Sequence, residues 1–330
     1  MFNRNKFKQY ALVTLLATFG VISAQAAEEA TTVTRTLVTE PSQGLTPIYN
    51  LINSAKKSID MTMYELTDTT AENLLVQAAA NGVTVRVILD QDNEKASNQA
   101  AYTLLSAHGV QVHWANTAYT YTHQKTITVD GATTAIMTLN LTSQYYSTSR
   151  DFAVIENDAN DIKAIEAVFA DDFVNKAITP ALGDDLVWSP TNSQTAMLAL
   201  INGAKYNLSV ENEEMDDTAI ADALAAAAKR GVKVEVTMTA NTDYATELNQ
   251  LKTAGVKIAT YAATASLYIH AKIIIADFGY TGAQAFLGSE NFSSTSLTKN
   301  RELGLTLTEA SILSSLNTTL SSDFKGGTAY

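Results

Sequence analysis

At 330 residues and 46% hydrophobic, the chain can bury one large core or two medium ones, which excludes a disordered, collagenous or small disulfide-stapled protein. Only 17% of residues are charged, and 22 Lys plus Arg against 34 Asp plus Glu give a net charge of −12, which argues against holding nucleic acid by bulk electrostatics. There is no cysteine, so disulfides, thiolate–metal sites and cysteine nucleophiles are excluded and any catalysis must use oxygen or nitrogen side chains.

The chain begins with Arg4, Lys6 and Lys8 and no acid among them, then an apolar run over 11–22, then Ala24-Gln25-Ala26. A basic start, a short apolar stretch and an A-x-A site form the pattern of a secretory signal peptide, and cleavage is predicted after Ala26. The run is short for a membrane span. A secreted or periplasmic protein is therefore expected.

Beyond that segment the chain repeats itself. Leu51-Ile52-Asn53-Ser54-Ala55-Lys56 returns as Leu200-Ile201-Asn202-Gly203-Ala204-Lys205, and Asn81-Gly82-Val83 returns as Arg230-Gly231-Val232 at the same offset. A period this long points to a duplicated domain instead of a solenoid. In the first copy Thr69 with Glu72 reads as a capping box opening a helix over 71–80, Gly82 ends it, and the β-branched run 83–89 reads as a buried strand. In the second copy the alanine-rich stretch 219–229 is the matching helix and 232–238 the matching strand. Helix and strand in alternation predict an α/β fold with a largely parallel sheet in each copy. The joint is placed between Pro180 and Pro190, so the expected organisation is a signal peptide over 1–26 and repeats over 27–184 and 185–330, packed together.

Two of the four histidines open one pattern. His123-Gln124-Lys125 is followed after four residues by Asp130, and His270-Ala271-Lys272 after four by Asp277. Further on, Met137-Thr138-Leu139-Asn140 aligns with Gly288-Ser289-Glu290-Asn291, and Asp151 and Glu302 each lie eleven positions after the asparagine. His108 and His113 lack this context and read as structural residues.

With H-x-K-x4-D present twice, followed by G-S-x-N and an acid, the chain over residues 40–320 resembles the phospholipase D superfamily. The resemblance implies two α-β-α sandwich repeats related by a pseudo-twofold and packed as one bilobal unit. It also implies a phosphodiesterase without metal or cofactor, with both motifs in a single site. The residue types suit that chemistry. Residues two apart in an extended segment face one side, so His123 with Lys125, and His270 with Lys272, can address one phosphate. One imidazole can attack phosphorus while the other protonates the leaving oxygen and then deprotonates water. Lys125 and Lys272, with Asn140, Thr138, Asn291 and Ser289, are the candidates for the phosphoryl oxygens. Asp151 and Glu302 are suited to accept a histidine Nδ1 proton. Asp130 and Asp277 complete the catalytic motifs but are expected to fix the motif loops more than to touch substrate. The resemblance favours His123 as nucleophile and His270 as general acid and base. Met137 and Leu139 depart from the family pattern, which puts the phosphate grip of the first copy in question.

The acidic cluster Glu211, Glu213 and Glu214 reads as solvated surface, the other reading being a wall facing a cationic headgroup. Trp114, Tyr119, Tyr121, Tyr145 and Tyr146 are open between stacking on a ligand and plain packing. The favoured substrate is a phosphatidylcholine-like phospholipid at a membrane surface, hydrolysed to phosphatidate and the headgroup alcohol. An exported nuclease, with Arg150 or Arg301 adding to a local positive slot, is the alternative, and a non-catalytic binding protein comes third. Because both motifs lie in one chain, a monomer is expected.

Overall fold

Strand and helix follow one another twice in the same order. In the computed structural model, residues 32–330 are described, so the expected export segment lies outside the described residues. The first half runs β1 (Arg35–Glu40), α1 (Thr46–Ser54), β2 (Ser58–Met63), α2 (Thr69–Ala80), β3 (Thr84–Leu89), α3 (Lys95–Ala107), β4 (Gln111–Trp114), β5 (Thr126–Val129), β6 (Thr133–Met137), β7 (Ser149–Glu156) and α4 (Ala159–Phe173). The second runs β8 (Leu186–Ser189), α5 (Ser193–Gly203), β9 (Asn207–Glu211), α6 (Thr218–Lys229), β10 (Lys233–Thr239), α7 (Ala245–Thr253), β11 (Lys257–Tyr261), β12 (Tyr268–Ile269), β13 (Ile273–Ala276), β14 (Gln284–Gly288), α8 (Ser294–Thr298), β15 (Glu302–Leu307), α9 (Ala310–Gly326) and β16 (Thr328–Ala329).

Local chemistry sets these boundaries. Helix α2 is capped by Asp68, whose side chain accepts from the Thr70 and Ala71 amides, so the cap lies one residue before the predicted Thr69. Its counterpart α6 is capped by Asp217, which accepts from the Ile220 amide. A carboxylate satisfies amides that no helical carbonyl can reach, and each such cap contributes about 1 kcal/mol. Both helices end before glycines with φ of +86° (Gly82) and +93° (Gly231), a region open to glycine at little cost.

The sheets are mixed, which corrects the expectation of largely parallel ones. The first has the order β1-β7-β6-β5-β2-β3-β4, with β2, β3 and β4 parallel and the remaining neighbours of that path antiparallel. The second has the order β16-β11-β10-β9-β13-β14-β15-β8, parallel only across β9, β10 and β11. Parallel neighbours need a helical crossover, which the chain has only before the motifs. After them the strands follow too closely; β5 and β6 are joined through Asp130 and Gly131, both at positive φ, a hairpin geometry.

The two halves share a core. Ile136, Phe152 and Val154 of the first sheet lie in one cluster with Trp188, Leu287 and Leu303 of the second, and all six are buried. Burying each such side chain contributes about 2 kcal/mol, so the halves are held as one unit spanning Val33–Tyr330.

The departure at Met137 is a volume exchange. In the second half Gly288 faces Gly304 across β14 and β15, and a Cβ on Gly288 would meet the Gly304 Cα at 2.4 Å. Phe286 fills that space, since a Cβ on Gly304 would lie 2.4 Å from its ring. In the first half alanine replaces the phenylalanine and the second glycine, at Ala135 and Ala153, and Met137 occupies the core instead. Close packing favours such compensating swaps.

Candidate active site

Each motif is delivered to the opposite half by the segment before it. Strand β12 pairs in parallel with the start of β7, Tyr268 against Ser149 and Ile269 against Arg150, and Thr122 bridges Arg301 in the same sense. The His123 and Gln124 amides then donate to the Arg301 carbonyl at 2.9 and 3.0 Å, and the His270 amide donates to the Arg150 carbonyl at 3.3 Å. Because the acid is the next residue after each arginine, each ring meets the other half's carboxylate. His123 Nδ1 lies 2.7 Å from Glu302 Oε2, and His270 Nδ1 lies 2.7 Å from Asp151 Oδ1.

The acids are themselves fixed. Glu302 Oε1 accepts from Ser296 Oγ at 2.6 Å and Asn300 Nδ2 at 2.9 Å, and Asp151 accepts from Thr138 Oγ1 and Ser149 Oγ, both at 2.6 Å. Burial would raise both carboxyls, but the partner histidines and these donors outweigh it and hold them below the usual carboxylate range. An ionised acid on Nδ1 leaves Nε2 of each ring to face the pocket. Burial pulls His123 down to about 4, helped by Lys125 and Lys272 and opposed by Glu302, so its ring is neutral at ordinary pH.

Lys125 Nζ donates to the His123 carbonyl at 2.7 Å and Lys272 Nζ to the His270 carbonyl at 2.5 Å, and both side chains are fully buried. Burial, and then the charge of Lys272, pulls Lys125 down to about 7. Asn140 and Asn291 line the pocket, and each has a buried Oδ1 without a hydrogen-bond partner.

Three expectations are corrected, and the place of the motif aspartates is made definite. Thr138 and Ser289 do not line the pocket; both are fully buried and their hydroxyls accept from the amides of Phe152 and Leu303, so they position the acid-bearing strands. Asp130 and Asp277, counted with the catalytic motifs, are placed as loop-fixing residues, as expected of their contacts from the sequence. Each lies beyond the far end of its motif strand, about 16 Å along the chain from the lysine, and accepts from three successive amides, at 56–58 and 205–207. Arg150 and Arg301 form no positive slot, since they are buried against Asp323 and Asp172. The cluster Glu211, Glu213 and Glu214 is not solvated surface, for Glu211 is fully buried while Glu213 and Glu214 line the pocket.

Glu213 takes the place that the second reading of the cluster, a wall of the site, leaves open, and its contacts with the motif were not foreseen. Its Oε2 lies 3.1 Å from Lys272 Nζ and 3.5 Å from His270 Nε2, and Tyr268 OH donates to its Oε1 at 2.8 Å. Burial would raise this carboxyl, but Lys272 and His270 hold it far below its usual range. The signal lay in its place just past β9, since α/β sheets build sites beyond the carboxyl ends of their parallel strands. Tyr64, just past β2, is its counterpart and sets its ring edge-on to His123 at 4.5 Å.

The pocket has a volume of about 610 Å³. Tyr64, Tyr145, Tyr146 and Tyr268 give it aromatic walls, and Glu40, Asp151, Glu213 and Glu214 make it acidic. Neither Lys nor Arg is among the described residues of that wall. Trp114 stacks instead on Tyr102, Tyr119 packs on Arg301, and Tyr121 meets only the edge of Tyr64. His108 and His113 sit elsewhere, their Nδ1 atoms on the Leu104 and Phe173 carbonyls. No described helix is long and apolar enough to cross a membrane.

Comparison with known proteins agrees with this geometry. Over 129 residues the chain is 30% identical to a probable cardiolipin synthase, YwiE, of Bacillus subtilis (strain 168), covering 38% of this chain and 25% of that protein. The chain thus spans about a quarter of that relative's length. Phosphatidylserine synthase of Haemophilus influenzae Rd KW20 shares the fold with a TM-score of 0.68 at 13% identity, covering 90% of this chain and 87% of that one. Polyphosphate kinase of Porphyromonas gingivalis does so with 0.67 at 14%, covering 87% and 50%. The family described as cardiolipin synthase, PLD-like domain, matches twice, over residues 48–173 and 197–324. With both halves matched and their motifs facing one pocket, the chain belongs to that PLD-like family, within the phospholipase D superfamily of phosphodiesterase-type enzymes.

Proposed function

We propose that the protein is an exported, metal-independent phosphodiesterase that hydrolyses phosphatidylcholine-like phospholipids to phosphatidate and the free headgroup alcohol. The observation that carries this reading is the pair of crossed histidine–carboxylate dyads facing one acidic, tyrosine-lined pocket. In the first step the neutral Nε2 of His123 attacks phosphorus, the bond from phosphorus to the alcohol oxygen breaks, and His270 gives that oxygen its Nε2 proton. In the second, His270 takes a proton from water, the water oxygen bonds to phosphorus, and the bond from phosphorus to His123 breaks. His270 suits the acid–base role because it has a carboxylate near each ring nitrogen, Asp151 on Nδ1 and Glu213 at 3.5 Å from Nε2. Nε2 of His123 has Tyr64 beside it instead. Asn140 and Asn291 supply amides toward the phosphoryl oxygens from the pocket wall, and Lys125 and Lys272 supply charge from behind it.

The acidic wall supports a headgroup ester over a polyanion, since a nucleic acid strand meets carboxylates where it needs cations. The probable cardiolipin synthase relative also points to lipid chemistry. Export is supported by the basic, apolar and A-x-A pattern of residues 1–26. With both dyads in one chain, a monomer suffices.

The test is a paired assay in EDTA on phosphatidylcholine vesicles and on plasmid DNA. Choline release that both His123→Ala and His270→Ala abolish is the expected result. DNA cleavage without choline release would replace the lipid reading with the nuclease one, and silence on both substrates would overturn the proposal.

A further inference from the structure

The halves differ at one more pair of related positions. Glu40 ends β1 opposite Asp151, and Ser189 ends β8 opposite Glu302, so each sits beside the acid of one dyad. Ser189 is satisfied within the protein, its hydroxyl donating to the Ser296 carbonyl at 2.5 Å. Glu40 is not. It lines the pocket, is 2% exposed, and its carboxyl has no side-chain hydrogen-bond partner, the Gly44 amide being the one donor set toward it. A buried carboxyl without a side-chain partner is costly, and such groups persist where a ligand completes them. Glu40 also lies outside the two segments, 48–173 and 197–324, that match the family.

The chemistry of the wall narrows the ligand. A buried carboxyl with only a backbone amide near it calls for further N–H or O–H donors, and four carboxyl side chains around the pocket call for positive charge. A trimethylammonium brings charge without donors, and a neutral hydroxyl brings a donor without charge. A primary ammonium brings both. We propose that Glu40 is a specificity-determining residue that binds a primary ammonium group on the alcohol side of the substrate. This rests on the phosphodiesterase reading above and sharpens its headgroup.

Burial and the Asp151 charge push Glu40 up to about 7, against the Gly44 amide and Arg150. The groups facing it are Asp151 and Arg150 of β7 and Tyr146 from the preceding loop, with Asp323 of α9 behind Arg150. An ammonium pairs with the ionised carboxylate, so binding strengthens as pH rises through that value while a simple amine keeps its charge.

The test is calorimetric titration of the purified chain with ethanolamine and with choline, at about pH 6 and about pH 8, for wild type and Glu40→Gln. The wild type is expected to favour ethanolamine by about tenfold at the higher pH, with the preference shrinking at the lower one. Glu40→Gln is expected to lose the preference at both. Equal affinity for the two ligands in wild type, or an unchanged preference in Glu40→Gln, would overturn the assignment. The wild-type pH series decides the matter even if the variant folds poorly. Hydrolysis of phosphatidylethanolamine vesicles is read on the same preparations. An ethanolamine preference with hydrolysis of neither phosphatidylethanolamine nor phosphatidylcholine vesicles sinks the proposed function and leaves Glu40 as an ammonium-binding residue, whereas hydrolysis without the preference sinks the Glu40 assignment alone.

Discussion

The His123 and His270 half-sites have the same skeleton and different surroundings. Both rings sit 2.7 Å from a carboxylate of the opposite half, and both lysines donate to their own histidine's carbonyl. Around His123 the next neighbour is an aromatic ring, and Lys125 sits 5.0 Å from the centre of that same Tyr64 ring. Around His270 it is Glu213, which also holds Lys272, with Glu40 beside Asp151. Duplication supplied two like dyads; substitutions at strand ends gave one half-site a neutral ring and the other an acidic cup. The two-step reaction proposed above uses that inequality, because its nucleophile must be unprotonated while its acid carries a proton.

The largest effects are expected from neutralising the dyad acids. Glu302→Gln and Asp151→Asn should each lower kcat by about 10² to 10³-fold. They should differ with leaving group. An activated aryl ester departs without a proton, so Asp151→Asn should recover its first step on that substrate while Glu302→Gln should not. Equal losses for both variants on alkyl and aryl esters would erase the distinction between the halves.

Smaller effects follow from the pocket's electrostatics. Burial leaves His123 neutral above about 4 and takes the charge from Lys125 above about 7. kcat/KM should therefore rise with pH through the first value and fall through the second, a bell set by the first half-site. Glu213→Tyr, which copies the first half-site into the second, should lower kcat by about tenfold with little change in KM. A profile still rising above pH 7, or no effect of that substitution, would show the halves to be more alike than their surroundings.

The smallest effect belongs to the motif aspartates, where the halves agree. Asp130→Ala and Asp277→Ala each remove a carboxylate that binds three backbone amides from a left-handed conformation. Each should cost about 1–2 kcal/mol in urea unfolding without changing kcat of the folded protein. A fall in kcat beyond the loss of folded protein would return these residues to the active site.

What the sequence determined by itself was local or repeated. The 149-residue offset exposed the duplication, helix caps and glycines marked α2 and α6, and the i, i+2 spacing set histidine and lysine together, because neighbours along a chain obey fixed geometry. The candidate acids were visible from their spacing, but not which histidine each would serve. Those bonds join residues 179 and 119 positions apart, and only the bridge of Thr122 to Arg301 and the crossing of β12 onto β7 decide them. The same holds for Glu213 and Glu40. Composition treats a carboxylate as a surface charge, and it takes packing to bury one against a lysine or leave one without a side-chain partner in a pocket wall. Thr138 and Ser289 were right in position and wrong in direction, since a strand's two faces alternate residue by residue and only the assembled sheet says which face meets substrate.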